Sequence, residues 1–407
     1  MKRVEFAICA LLFAGSAAIC SAGDLHLGTE DLRIERETDV PAGTAPGFHL
    51  YIRKKPDINS VLLTETTKDP TGTEANYAFR AKTLNPINGN ELRMLNGAPL
   101  TSQYAKYSII DSTPEPDAEF GQAFHLYIPS EIEFGYPWTR NGTVKIARGT
   151  FINIRAFGAR YGDYTDGFAD NPFMFDLGQP KKAENTPAEK TENKVVLTEK
   201  YSPEAAASFS DIARFAGGSV TYSDGPETIV DDIMRSLASI NPKETVDVVF
   251  ALDTTGSMKD DIQQLRSELI PRLTETLADF GSLRLGLLLY RDYGDNYRTD
   301  GLPVKYFPFT QDIGQFMKAL NSFTIYGTEG GDVPEAVYEA LYASMDFYPW
   351  NPAAQRKIIL IGDAEAHPVP RGTKKYTREL VEATALARDI VIDAVITPDG
   401  KTARDRK

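Results

Sequence analysis

From residue 246 onward, apolar runs short enough to be strands alternate with longer segments whose apolar residues recur every three or four positions. No other feature of the chain restricts its fold as much. Residues 246–252 are almost continuously apolar and end in Asp253, as expected of a strand buried on both faces. The next segment carries Met258, Ile262, Leu265, Leu269, Leu273, Leu277 and Phe280 at helical spacing. Further strands are predicted at 283–290, 304–309, 357–361 and 390–396, with helices near 313–323, 334–347 and 376–388 between them. That order predicts a doubly wound α/β domain, a parallel sheet with helices on both faces.

The part before it reads differently. Residues 23–179 hold short alternating or aromatic runs separated by Pro, Gly and Asn clusters such as Asn85-Pro86 and Asn88-Gly89, which predicts an all-β, sandwich-like domain. Phe48-His49-Leu50-Tyr51-Ile52 recurs as Phe124-His125-Leu126-Tyr127-Ile128. Tyr77-Ala78-Phe79-Arg80-Ala81 resembles Ile152-Asn153-Ile154-Arg155-Ala156 at similar spacing, so either a strand pair is duplicated or aromatic strands resemble one another by chance. Residues 180–200 are rich in Lys, Glu, Thr and Pro and read as a linker. Pro203 is placed to open a helix that Gly217-Gly218 would end; a β-prone run at 219–223 and a second helix near 227–240 follow.

The first 22 residues have the charged, apolar, small-residue order of a secretory signal, with Lys2 and Arg3 ahead of the apolar run 6–19 and cleavage expected after Ala22. Both cysteines, Cys9 and Cys20, lie inside it, so the processed chain is expected to have no disulfide and no thiol chemistry. Cys20 is the residue a lipid anchor would use, although bacterial lipoprotein signals place a small residue before the cysteine and here Ile19 stands there. No other run approaches membrane-spanning length, and an extracytoplasmic protein, periplasmic, secreted or envelope-associated, is expected. A net charge of −13 argues against nucleic acid as a partner, because phosphate binding needs a basic face.

In open parallel sheets the ligand crevice lies beyond the carboxyl ends of the strands. After the first strand comes Asp253-Thr254-Thr255-Gly256-Ser257, after the 357–361 strand comes Gly362-Asp363, and before the helix near 334 comes Gly330-Gly331-Asp332-Val333-Pro334-Glu335. Oxygen donors without a cysteine or a histidine cluster select a hard cation, and Mg²⁺ tolerates a sparse carboxylate and hydroxyl set that keeps waters. Asp253 alone also suits a helix cap. Acids from three loops together favour a metal site on Asp253, Thr255, Ser257 and Asp363.

The stretch Asp253-x-Thr255-x-Ser257 at the end of an apolar strand resembles the metal-ion-dependent adhesion site of von Willebrand factor A domains, over about 246–397. The chain looks like a bacterial, secreted member of that group. In motif it is most similar to the metal-binding domain of integrin β subunits. Ser257-Met258-Lys259-Asp260-Asp261 resembles that family's stretch bearing an adjacent Ca²⁺ site, which implies that role for Asp260 and Asp261. Asp332-Val333-Pro334-Glu335 resembles the loop whose Glu bridges the central metal and a second Ca²⁺ site, and Asp292 matches the Asp completing it, with Mn²⁺ as an alternative ion. Gly330 stands where those proteins carry an Asn ligand. Read without the resemblance, Asp260 and Asp261 also suit the first turn of a helix, and Asp292-Tyr293-Gly294-Asp295 also suits a turn.

No zinc-protease motif, nucleophile elbow or phosphate loop occurs, and no catalytic residue is assigned. The four histidines, His26, His49, His125 and His367, do not cluster in sequence; His49 and His125 read as structural, and His367, which follows the Asp363 loop, either lies near the metal or is a solvated loop residue. The expected function is metal-dependent binding of a protein carboxylate. The alternatives are a metal-dependent hydrolase or an envelope scaffold whose metal site is not essential. By the same resemblance, an A domain continues past its fifth strand into a helix, a sixth strand and a final helix. Residues 201–240 offer those elements ahead of the first strand instead, so a circularly permuted domain over 201–407 is expected, with 219–223 as an edge strand beside 390–396. A helical spacer packed on the β domain is the alternative.

Overall fold

The apolar run ending at Asp253 sits in the middle of a six-stranded sheet. A computed structural model describes residues 23–38, 40–41, 43–65, 78–88, 94–95, 98–99, 107–135, 141–160, 167–177, 195–242, 244–277, 280–331, 333–402 and 404–406. The expected signal segment, with Cys9 and Cys20, lies outside them.

In chain order the first part supplies β1 (Leu32–Arg36), β2 (Phe48–Arg53), β3 (Ser60–Thr64), β4 (Glu115–Asp117), β5 (Gly121–Ile128), β6 (Phe151–Phe157) and β7 (Phe168–Asp176), with several shorter strands. One sheet runs β1-β2-β5-β4, and a second has β7, β6 and β3 as neighbours. Leu50, Ile52, Phe124 and Leu126 from the first sheet and Val61, Leu63, Ile152, Ile154 and Phe173 from the second share one buried core. That is a sandwich-like arrangement, produced by alternation that turns every second side chain inward.

The two copies of the Phe-His-Leu-Tyr-Ile sequence are both strands and pair with each other. The second half of the expected repeat does not correspond in structure. Residues 152–156 lie within the seven-residue β6, whereas Arg80–Ala81 is a two-residue strand in a different sheet, and Tyr77 lies outside the described residues. Side chains of similar type were not enough to build equivalent strands, because β6 pairs on both sides along its length and Arg80–Ala81 meets its neighbours only briefly.

The second part contains α1 (Pro203–Phe215), β8 (Val220–Tyr222), α2 (Ile229–Ala238), β9 (Thr245–Asp253), α3 (Lys259–Gln264), α4 (Ile270–Leu277), β10 (Ser282–Tyr290), β11 (Val304–Thr310), α5 (Ile313–Leu320), α6 (Val337–Asp346), β12 (Gln355–Gly362), α7 (Arg378–Arg388) and β13 (Val391–Ile396). Strand order is β8-β13-β12-β9-β10-β11. All neighbours are parallel except β10 and β11, so the expected fully parallel sheet is corrected at one edge. Arg291 to Pro303 between those two strands contain no helix, so the connection forms no crossover over the sheet face and the chain returns antiparallel. The helix predicted as continuous from Met258 is interrupted by a π-helical stretch, Leu265–Leu269, between α3 and α4. Pro271 lies at its end and lacks the N–H that an α-helical bond back to Ser267 requires.

Helices cover both faces. Phe209 and Ile212 of α1, Leu341 of α6 and Val381 of α7 pack with Val249, Ala251 and Leu360 on one side. Ile233 and Leu237 of α2, Ile262 and Leu269 of the α3–α4 region and Phe316 of α5 pack with Val248, Phe250 and Ile361 on the other. Odd and even residues of β9 therefore enter different cores, which explains why that strand has no polar face.

The segment ahead of β9 belongs to the sheet. β8 pairs in parallel register with β13, Val220 opposite Ala394 and Tyr222 opposite Ile396. The junction with the first part is packed too. Val196–Thr198, within the expected linker, pairs with β7, and Met174 shares a core with Tyr201 and Phe209. Gly149, with φ of 87°, lets the backbone pass close to Tyr222, where an added Cβ would fall 2.5 Å from the ring.

Candidate metal centre

β9 and β12 are hydrogen-bonded neighbours, Leu252 opposite Ile361, so the residues just beyond them, Asp253 and Asp363, emerge side by side. Both are buried. Gly362 makes that spacing available. A Cβ there would lie 2.7 Å from the Tyr290 hydroxyl, closer than real side chains approach, and 3.2 Å from Asp253 Oδ2, a tight contact.

Asp253 has its two carboxylate oxygens in different circumstances. Oδ1 accepts from the Thr255 backbone N–H at 2.9 Å and from Thr255 Oγ1 at 2.8 Å. Oδ2 is buried and has no hydrogen-bond partner. Thr255 Oγ1 lies 3.4 Å from Ser257 Oγ, so the two hydroxyls and the Asp253 carboxylate share one small volume. Glu335 is drawn in from the opposite side, its backbone N–H donating to Glu365 O at 2.8 Å, and its Oε2 is also buried without a partner. Asp261, in the first turn of α3, has a third such oxygen, Oδ1.

Burying several acids together disfavours their charged forms. Burial and the neighbouring Asp363 raise Asp253 to about 8. Burial, with Asp253, Asp292 and Asp363 nearby, raises Glu335 to about 11. Asp261 rises to about 7 through burial and Asp363. Asp363 rises to about 6, burial being opposed by a hydrogen bond from Ser257. Arg291 and Lys401 act in the opposite direction but do not offset burial and the repulsion among the acids.

Above it is a crevice of about 320 Å³, bordered by Ser257, Gly327, Gly330, Val333, Asp363, Asp399 and Lys401. Its wall is held against the Thr255 loop by glycine contacts. Gly256 N donates to Glu329 O at 3.0 Å, and a Cβ on Gly256 would strike the Gly327 backbone at 2.7 Å. Gly330, with φ of 88°, passes within 3.0 Å of Glu335 Oε1, measured from the position its Cβ would take. Gly330 N is fixed by Asp295 Oδ2 at 3.0 Å.

The remaining candidate residues are placed differently. Asp260 is exposed at the start of α3. Asp292 is buried but engaged at both oxygens, by His367 Nε2 at 2.7 Å and by Arg371 Nη1 at 2.9 Å. Asp332 lies outside the described residues. Among the described residues no three His, Cys, Asp or Glu side chains converge as a finished ligand cage. A cation here would draw on the Thr255 and Ser257 hydroxyls as well as the acids. Hard oxygen donors, three of them buried and unpartnered, fit a small divalent cation.

Several members of the site were not anticipated. Of the two readings its place after the Asp363 loop allowed, the solvated one fails for His367, whose burial against Asp292 no local pattern marks. Arg291 is buried behind the site, donating to Thr254 O at 2.9 Å and to Thr324 O at 2.9 Å. Its place directly after the apolar run of β10 was an available signal. Nothing local marks Asp399 or Lys401.

Residues 247–407 match the family model of the von Willebrand factor A domain. The C-terminal part of this chain is a von Willebrand factor A domain. The match begins inside β9, so α1, β8 and α2 lie ahead of it although they pack into the A domain's sheet and cores. Over 142 residues the chain is 29% identical to the alpha-protein kinase vwkA of Dictyostelium discoideum; this covers 34% of the chain and 21% of that protein. The chain therefore spans about a fifth of that relative's length. Among solved structures it is similar to the open conformation of the pilus adhesin SpaC from Lactobacillus rhamnosus GG, at 17% identity and a TM-score of 0.24, over 30% of this chain and 15% of that one. It is also similar to the conserved hypothetical protein BatB from Bacteroides thetaiotaomicron, at 15% identity and a TM-score of 0.23, over 40% of this chain and 94% of that one. TM-scores this low carry no weight for the A domain's function. No helix among the described residues is long and apolar enough to cross a membrane.

Proposed function

We propose that the A domain holds a divalent cation, Mg²⁺ by preference, on Asp253, Thr255, Ser257 and Asp363 with Glu335 beside them, and through it binds an acidic group of a partner protein outside the cytoplasm. The observation carrying this reading is the set of buried, unpartnered oxygens on Asp253, Glu335 and Asp261 beneath an open crevice. Buried polar atoms in folded proteins are nearly always hydrogen-bonded, so three orphans in one place call for a ligand. When bound, the cation neutralises the acids and offers an open coordination position to an incoming carboxylate.

The chain's own residues prepare the site. Thr255 orients Asp253, Gly362 admits it, and Gly327 and Gly330 bring bare backbone close to the Thr255 loop. Lys401 at the rim adds a positive charge close to where an acidic partner would enter. Asp260 and Asp261 are proposed for a flanking Ca²⁺ or Mn²⁺ site, Asp261 with its free oxygen contributing most. Asp292 and Asp332 are proposed for a second, which requires Asp292 to leave His367 and Arg371.

We further propose that the A domain is circularly permuted, with 201–240 supplying its last helix, edge strand and final helix. The parallel pairing of β8 with β13 and the placement of α1 and α2 on opposite faces support this. The chain enters at the functional end: Asp399 N donates to Lys200 O at 3.2 Å, and Asp399 borders the crevice. The β domain is thereby attached near the rim.

Calorimetric titration of Mg²⁺ into the EDTA-treated full chain tests the metal reading. Asp253→Ala is expected to weaken binding by more than the roughly 10–100-fold that loss of a second-shell partner costs. Equal affinity in the two proteins would sink it. Mg²⁺-dependent retention of an Asp/Glu-rich peptide, abolished in the same variant, tests the acidic-ligand part.

A further inference from the structure

The duplicated Phe-His-Leu-Tyr-Ile sequence has no role in the A-domain site. In the fold its two copies lie antiparallel about Leu50 and Leu126, so that His49 faces Tyr127 and His125 faces Tyr51. Phe48, Leu50, Ile52 and their counterparts Phe124, Leu126 and Ile128 are buried in the sandwich core. Alternation therefore puts both His and both Tyr on the other, half-buried face of the sheet.

Across the diagonal, His49 Nδ1 and His125 Nε2 are 3.0 Å apart. The rings are supported on both sides. Tyr51 stacks on His125 with centroids 4.3 Å apart and planes inclined by 14°. Tyr127 packs edge-on against His49 at 5.4 Å and is itself held by donating its hydroxyl to Glu37 at 2.9 Å. Glu35 of β1 lies directly opposite His49. Glu115 of β4 lies opposite Ala123, two residues before His125 and on the same face. A line of carboxylate, imidazole, imidazole and carboxylate thus crosses four strands.

We propose that His49 and His125 form a second metal site, selective for a borderline transition-metal cation such as Zn²⁺ or Cu²⁺. At 3.0 Å the two nitrogens share one proton, one ring donating and the other accepting. Two imidazoles on one tetrahedral cation, with metal–nitrogen bonds of about 2.0–2.1 Å, place their nitrogens roughly 3.3 Å apart. Exchange of the shared proton for a metal therefore needs a small separation and turning of rings whose strands stay fixed by the core. Burial and His49 lower the basicity of His125, which keeps its imidazole neutral as a ligand must be. Glu115 brings negative charge to the same face, whereas Glu35 is already paired with Arg33 at 2.9 Å, and that guanidinium lies over the Tyr51 ring. Imidazole pairs suit Zn²⁺ and Cu²⁺ rather than Mg²⁺, so this site and the all-oxygen centre of the A domain would not compete.

The test uses the full chain carrying Asp253→Ala, so that the oxygen site does not contribute. Cu²⁺ titration followed by electron paramagnetic resonance is expected to give one equivalent with two-nitrogen hyperfine structure. Either His49→Gln or His125→Gln should weaken binding at least tenfold and leave at most one nitrogen, while Tyr127→Phe keeps two. Circular dichroism reports whether each variant is folded, and the two single substitutions give independent readings if one is not. An unchanged spectrum and affinity in both histidine variants would overturn the proposal, as would a loss in one alone, which marks adventitious binding to a single imidazole.

Discussion

Buried acids lie at both ends of the A-domain sheet, and the two ends treat them in opposite ways. Toward the amino ends of the strands, Asp247 is gripped by Arg284 through both oxygens at 2.7 and 2.6 Å. Asp393 accepts from Lys357 Nζ at 2.6 Å, Ser236 Oγ at 2.6 Å and Ser219 N at 2.8 Å. At the carboxyl ends, Asp253, Asp261 and Glu335 each keep an oxygen with no partner. The first set is internally complete and ties strands to helices. The second is complete only with something from outside. The same residue type therefore reads as architecture or as site according to whether the fold supplies its counter-charge.

The largest expected effect would break the architectural half. Asp393→Ala leaves Lys357 buried without its anion and is expected to cost about 3–5 kcal/mol in chemical denaturation. A loss below 1 kcal/mol would show that the two ends do not differ as described.

pH separates the ends by sign. Asp393 is held below the usual carboxylate range: burial raises it, but the bonds from Lys357 and Ser236 outweigh burial. Its contribution is present above the unfolded value near 3.8 and is lost as pH falls through its lower folded value. Asp253, Asp363 and Asp261 are raised, so their contribution is full below their unfolded values and declines as pH rises through about 6 to 8. Metal-free protein should therefore melt at lower temperature at pH 8 than at pH 5.5, and saturating Mg²⁺ should remove the difference. At 100 times Kd the cation adds about 2.7 kcal/mol. A metal-free melting temperature that rises over this interval would contradict the uncompensated cluster.

Gly362→Ala gives a more local effect. Its Cβ meets Tyr290 and Asp253, and overpacking of this kind costs about 1–3 kcal/mol. Mg²⁺ affinity should fall with it, and calorimetry on a variant that remains folded checks both. Smallest is Arg371→Ala, which removes a half-exposed cation from Asp292 and should change stability by under about 1 kcal/mol. Its value lies in the titration. If a second divalent cation binds the variant and not the parent, Asp292 is a ligand that the chain itself keeps occupied.

The α/β order, the strand ending at Asp253, the Thr255 and Ser257 hydroxyls and the Gly362-Asp363 pair were all legible in the sequence, because each is a local pattern at the end of an apolar run. The β8–β13 pairing was reached only through the family resemblance, which implies a helix, an edge strand and a helix that residues 201–240 supply; element order alone left a helical spacer equally open. Tertiary structure alone decided the state of each acid. His367 lies 75 residues from the Asp292 it binds, and Arg371 lies 79 from it. Sheet order and loop packing bring them together, and no spacing along the chain encodes that. The antiparallel strand β11, the π-helical break and the meeting of His49 with His125 belong with them. A local pattern can state which residue types leave a strand end, but the partner of a buried charge is settled by which distant segment the core places beside it.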